Sequence, residues 1–288
     1  MAASARRPGS VGAFDVPSIL LAPLGLIVVI VAQSADGLAA RTLVNGSAAL
    51  IVFGGTLGAV LVSYSPRELV RAARAALDAF RRRDDDTAAL GATLVAMAGR
   101  AHRVGLMAME PEIDALGDPF LREGLELVVD DTPADLVEQF LAAERDARAA
   151  EDDAPARLFE SAAGYAPTLG ILGAVLGLIR VMQTIGATPS FGTGIGSAFV
   201  ATVYGVGLAN LVLLPIAGRL RERASVAARR REIVVQGIRA IQKRTHPRLV
   251  ARGLRSTTGE VGRVEDLTVV TPPRGIRRPA VRMPGTPA

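Results

Sequence analysis

The 288-residue sequence contains no cysteine and only two histidines. The first absence excludes disulfides and thiolate chemistry. Together they leave a zinc cluster without its usual ligands. No nucleophile–base pair, phosphate loop or metal cluster stands out, so neither an enzyme nor a cofactor is expected. Charge is missing from long stretches. Ala162 to Gly218 carries a single charged residue, Arg180, and no charge lies in Val16–Ala35 or Thr42–Pro66.

What fills these gaps is apolar. Half of the residues are hydrophobic and mean hydropathy is +0.33, high for a water-soluble chain. About 20 helical residues cross the roughly 30 Å hydrocarbon layer. Four spans are predicted: Pro17–Ser34, Leu43–Ser63, Ser161–Ile185 and Gly194–Gly218. Breakers at Gly186–Gly194 turn the last two into a hairpin. Arg6 and Arg7 precede span one as they would a signal peptide, but its charge-free run is too long for a cleaved one, so retention is expected.

Charge elsewhere is segregated. Residues 67–160 hold 12 basic and 21 acidic residues; residues 219–288 hold 17 basic and 5 acidic. A basic segment beside membrane spans marks the inner face more simply than it marks a nucleic-acid site. Arginines before span one and after spans two and four put both termini and residues 64–160 in the cytoplasm.

That middle segment reads as helical. Ser65, Pro66 and Glu68 form a capping signal. The helix they open runs to about Phe80, with Leu69, Val70, Ala73, Ala76, Leu77 and Phe80 as its apolar set. A second helix is predicted over Thr87–Glu110, others over Phe120–Val129 and from Pro133 to about Ala150. Glu151–Pro155 reads as an acidic break. After span four a basic helix occupies 219–245. Residues 246–288 read as a tail rich in Arg and Pro, without a core of its own. The fold class is therefore an all-α integral membrane protein: four transmembrane helices with a helical cytoplasmic domain between spans two and three.

Ion paths usually show ionisable residues in the membrane. Spans one, two and four have no Asp, Glu, His, Lys or Arg in their interiors. Either the chain moves no ions or a partner supplies the carboxylate. The spans do offer Pro167, Thr168, Thr202, Tyr204 and Pro215. A proline frees a carbonyl that can face a polar path, or it simply bends a helix. Gly54 and Gly58 share a face and allow close helix packing.

The order and spacing of several motifs resemble a known family. Val52–Ala59 (VFGGTLGA), Gly164–Gly173 (GYAPTLGILG), Phe199–Thr202 with Tyr204–Gly205, Leu214–Ala217 and Gly105–Glu110 are similar to segments of flagellar motor stator A subunits (MotA). Those belong to the wider MotA/TolQ/ExbB superfamily. The likeness covers about residues 15–245.

The resemblance implies an inner-membrane stator, with five copies around a dimer of a one-span MotB-type partner that carries the ion-binding aspartate. Ion flow, driven by about 2.3 kcal/mol per charge per 100 mV, would turn the ring against the rotor protein FliG. Pro167 and Pro215 match the gating prolines, and Thr202 matches the threonine on the ion path. Thr168 matches a position that is threonine in some members. Glu110 matches the acidic rotor contact. The basic contact falls at His102, beside Arg103 and near Arg100, which departs from the pattern. Ala174, where sodium-type members commonly carry threonine, favours protons. The alternatives are a TolQ/ExbB-like energiser of envelope machinery and a non-conducting scaffold.

Overall fold

The computed structural model describes residues 44–81, 87–114, 116–183 and 191–258. The expected span one and most of the hairpin turn lie outside the described residues. Every regular element among those described is helical. Among the described residues, three helices are long and apolar enough to cross a membrane: Gly46–Ser63, Ala134–Gln183 and Ala198–Gln242.

Helix α1 (Gly46–Ser63) starts at Asn45, whose side chain accepts the Ala48 N–H at 3.1 Å. Its Leu50–Gly54 stretch is π-helical. It ends where Tyr64 turns extended and Ser65 caps α2 (Pro66–Ala79). The expected capping box is present: the Ser65 N–H donates to Glu68 Oε2 at 2.7 Å, and the Glu68 N–H donates to Ser65 Oγ at 3.3 Å. The buried face of α2 differs from the expected one. Ala72, Ala76 and Ala79 are buried, while Val70 and Leu77 are exposed. Small residues let α2 lie close to its neighbours, and the larger side chains turn outward.

Helix α3 (Thr87–Val104) stops short of the expected Glu110. Gly105 has φ +90°, a left-handed conformation that glycine adopts without a Cβ penalty, so the helix ends there. A 3₁₀ turn (Met107–Met109) and a short helix α4 (Glu110–Ile113) follow. Helix α5 (Pro119–Val129) is capped by Asp118, which accepts the Phe120 and Leu121 N–H groups at 3.1 and 3.3 Å.

Helix α6 (Ala134–Gln183) is unbroken for 50 residues, so the acidic stretch Glu151–Pro155 is not a break. Its charges are matched in helical form: Asp152 pairs with Arg231 at 2.5 Å, and Asp153 lies 3.5 Å from Arg157. Arg157 also donates to the Ala150 carbonyl at 3.0 Å, beside the Glu151 carbonyl that Pro155 leaves without its helical N–H.

Helix α7 (Phe191–Gly207) passes through a π-helical stretch, Leu208–Leu213, into α8 (Leu214–Gln242). The predicted basic helix is thus the continuation of span four. A last helix, α9 (Pro247–Thr258), occupies the start of the expected tail. Its Val250 and Leu254 are buried, which holds it to the domain.

Helices α6 and α7–α8 run antiparallel along their lengths. Outside the membrane stretch, five ion pairs join them among the described residues: Glu160–Arg221 (2.7 Å), Asp153–Arg221 (3.9 Å), Asp152–Arg231 (2.5 Å), Arg145–Glu232 (2.7 Å) and Glu138–Arg239 (2.7 Å). The core of the inner domain gathers Leu90, Leu94 and Met97 of α3, Met109, Phe120, Leu121 and Leu125 of the next segments, Leu141 of α6, and Ile233, Ile238 and Ile241 of α8.

Candidate functional site

The site is built where α6 crosses α7. A Cβ placed on Gly170 would stand 2.9 Å from the Ala201 carbonyl oxygen and 3.2 Å from Thr202 Cα. One on Gly205 would stand 2.5 Å from the Ala166 carbonyl oxygen and 3.1 Å from Pro167 Cα. The two backbones therefore touch, and only glycine fits at either point. Gly173 and Gly177 extend the seam against Ala201 and Ala198, each 2.8 Å from the position a Cβ would take.

Two of the expected site residues, Pro167 and Thr202, flank this contact and are half-buried. Thr168 is exposed and returns its hydroxyl to the Tyr165 carbonyl at 2.7 Å. Pro215 lies further along, exposed, just after the π-helical stretch. Each proline lacks the N–H that would bond the carbonyl four residues before it, Ala163 and Leu211 respectively. In the π-helical stretch Asn210 is exposed and donates to the Val206 carbonyl at 3.0 Å. Such a turn shifts the helix register and often accompanies function. The crossing thus offers hydroxyls and the Ala163 carbonyl, which Pro167 leaves without its helical N–H, and no charge of its own. Among the described residues of 46–63, 161–183 and 191–218, Arg180 is the one charged side chain.

Helix α1 backs this pair. Gly55 packs on Leu169, 3.1 Å from a would-be Cβ, and Ile51 reaches Gly173. The expected packing glycines behave differently: Gly58 has nothing within 4 Å, and Gly54 meets only Leu50 of its own helix. Both face away from the described helices. At one end of α1 the Tyr64 and Ser161 hydroxyls lie 2.8 Å apart, and those of Ser63 and Tyr165 3.1 Å apart.

The second set of expected residues lies in the inner domain. His102 and Arg103 sit in the last turn of α3, and Glu110 opens α4. All three are exposed. Arg100 is occupied by an ion pair with Glu112, which ties α3 to α4. His102 Nδ1 lies 3.0 Å from the Arg244 carbonyl oxygen, a contact the sequence alone does not disclose. The glycine seam is also missing from the expected site, although the Gly170–Gly173–Gly177 spacing carries its signal.

Comparison with known proteins settles the family. Motility protein A of Bacillus subtilis (strain 168) is 30% identical over 239 residues, covering 80% of this chain and 87% of that one. The chain belongs to the MotA/TolQ/ExbB proton channel family. The model of that family matches residues 112–233, from the inner domain through α6 and α7 into α8. The flagellar MotAB stator complex from Bacillus subtilis superposes with a TM-score of 0.73 at 28% identity, covering 84% of this chain and 94% of that chain. The fold also agrees with the MotAB structure from C. jejuni, with a TM-score of 0.77 at 20% identity, over 88% and 98% of the two chains. This MotA/TolQ/ExbB member is thus an all-α, multi-pass membrane protein of a channel family.

Proposed function

We propose that the chain is the A-type subunit of a flagellar stator, which converts ion flow across the bacterial inner membrane into torque. The observation that carries this reading is the fit to a MotAB stator complex over most of both chains. The chemistry of the crossing agrees with it. A carboxylate is the usual ion carrier at membrane depth, and these spans supply none. A one-span MotB-type partner bearing an aspartate would complete the path, with Thr202 and the carbonyls freed by Pro167 and Pro215 beside it. Thr168 is a further hydroxyl on the same helix as Pro167. Protons are the expected ion.

In the assembly, five copies surround a partner dimer. Both termini face the cytoplasm, consistent with Arg67, Arg71 and Arg74 after α1 and Arg219, Arg221 and Arg223 in α8. The rotor protein FliG meets the inner domain at His102, Arg103 and Glu110. Arg103 is the better cation for that contact, because Arg100 is already paired with Glu112.

The test is ion flux into vesicles holding this chain with an unplugged form of its one-span partner. The pair should conduct and either protein alone should not. Thr202→Val should bring flux to the level of one protein alone while assembly persists. An assembled pair that passes neither protons nor sodium would overturn the reading.

A further inference from the structure

Thr56 sits in the middle of α1. Among the described residues it is the one buried polar side chain, 6% exposed. Its hydroxyl has no hydrogen-bond partner among them. A helical threonine commonly returns its hydroxyl to the carbonyl four residues back. Here that carbonyl is Val52's, inside the first π-helical stretch, and it already takes the Gly55 N–H. A buried hydroxyl left unmatched costs stability that a valine of the same shape would not. The position therefore calls for a partner.

The residues one turn away on either side show what Thr56 faces. Val52 belongs to a cluster against which Leu208 packs, and Val60 to one against which Leu213 packs. Those leucines are the two ends of the second π-helical stretch, Leu208–Leu213, so Thr56 faces its middle. The same leucines cover a junction of small residues, Ala163 and Ala166 of α6 with Ala209 of the stretch. Backbone acceptors are left over on both of these elements. In the π register the Leu214 N–H goes to the Ala209 carbonyl, five residues back. The Asn210 carbonyl thereby loses its α donor, and its π donor would be the N–H that Pro215 lacks. On α6 the Ala163 carbonyl lacks the N–H of Pro167. One hydroxyl and two carbonyls, from three helices, thus stand unmatched around one junction.

We propose that this junction is a binding site for one buried water, which joins α1 to α6 and to the π-helical stretch. The water accepts the Thr56 O–H, donates one hydrogen to the Asn210 carbonyl and donates the other to the Ala163 carbonyl. Three hydrogen bonds are what a buried water ordinarily makes. The site and the π register support each other. In a plain α register the Leu214 N–H would return to Asn210, and the water would lose that acceptor. Thr56 is thus a positioning residue: through the water it keeps the extra residue of the π turn in place, and with it the angle at which α8 leaves α7. The site goes beyond the stator reading and does not depend on it.

Two measurements test the site. The first is reversible unfolding of the full chain from mild detergent by sodium dodecyl sulfate. Thr56→Val should raise the unfolding constant about tenfold, because it strands two carbonyls, while Thr56→Ser should stay within about twofold of the wild type. Pro215→Ala returns an N–H to the stretch and removes the water's Asn210 acceptor. In that background Thr56→Val should cost about threefold or less. A Thr56→Val chain as stable as the wild type, or more stable, overturns the site, as does an equal cost in both backgrounds. The second is a density map of the assembled chain at a resolution that shows waters. One water should lie within hydrogen-bond reach of Thr56 Oγ1 and the Asn210 carbonyl. A Thr56 hydroxyl bonded directly to a carbonyl, with no water beside it, overturns the proposal whatever the unfolding constants.

Discussion

Helix α6 packs on the same partner helix twice, by two different chemistries. At the membrane crossing, Gly170, Gly173 and Gly177 meet Ala198, Ala201 and Gly205, and backbone touches backbone. In the inner domain the same two helices present Val137 and Leu141 against Ile238 and Ile241, with charged pairs along the margin. Water explains the second arrangement, since each large apolar side chain removed from it contributes about 1.5–3 kcal/mol. Lipid offers no such gain, because its tails are as apolar as leucine; there, association follows from how closely the helices approach. The two ends of one helix pair are thus built from opposite residue sizes for a single physical reason.

The comparison breaks most readily at the crossing. Gly205→Leu would drive a side chain into the Ala166 carbonyl, and the chain should fail to give a monodisperse species in detergent. Gly207→Ala, which has open space, should behave as the wild type does. If Gly205→Leu assembles normally, the crossing is not held by close approach. The next effect belongs to the domain. Leu94 is fully buried, and Leu94→Ala should cost about 2–5 kcal/mol in chemical denaturation. A much smaller loss would mean that this core is not packed as tightly as the crossing.

The margin should matter less. Hydrogen bonds to Asp146 and then to Glu232 hold the Arg145 guanidinium above its ordinary value. Glu232→Gln should lower stability by about 1 kcal/mol or less, and salt should shrink the difference. The smallest effect lies at the junction of the two regions. The Ser65 hydroxyl and then its N–H hold the Glu68 carboxyl below its usual value. The folded form therefore binds fewer protons there. The capping box stabilises α2 above the unfolded carboxylate range and loses that contribution as pH falls through the folded value. Amide exchange at the start of α2 should show this pH dependence in the wild type and little of it in Ser65→Ala.

Local chemistry made much of this fold readable. The Ser65–Glu68 box is short-range, and the charge-free runs bounded by Arg67, Arg180 and Arg219 marked apolar stretches that the structure forms as long helices. The motifs around Pro167 and Thr202 carried the family, and the fold brings those two residues to one crossing. Features that depend on a distant partner stayed hidden. Glu151–Pro155 reads as a break until Arg231 and Arg221 are seen opposite its aspartates. The alanine face of α2 has a weaker pattern than Val70 and Leu77, which turn outward. Gly105 ends α3 through its backbone angle, which composition does not reveal. His102 resembles a weakened rotor contact until the Arg244 carbonyl, from the far end of the chain, arrives beside it.

The unbroken run of α6 also has a mechanical meaning. Its 50 residues make a rod about 75 Å long that starts in the inner domain and ends beyond the crossing, with no loop between Leu141 and Pro167 to absorb a twist. Helix α8 doubles it in the opposite direction, braced by the ion pairs between them. Such a pair acts as a stiff shaft, so angular displacement at one end reaches the other undiminished. The azimuth of the domain is then set by residue count alone. One residue inserted between Leu141 and Pro167 would turn one end against the other by about 100°, whereas seven would nearly restore the alignment.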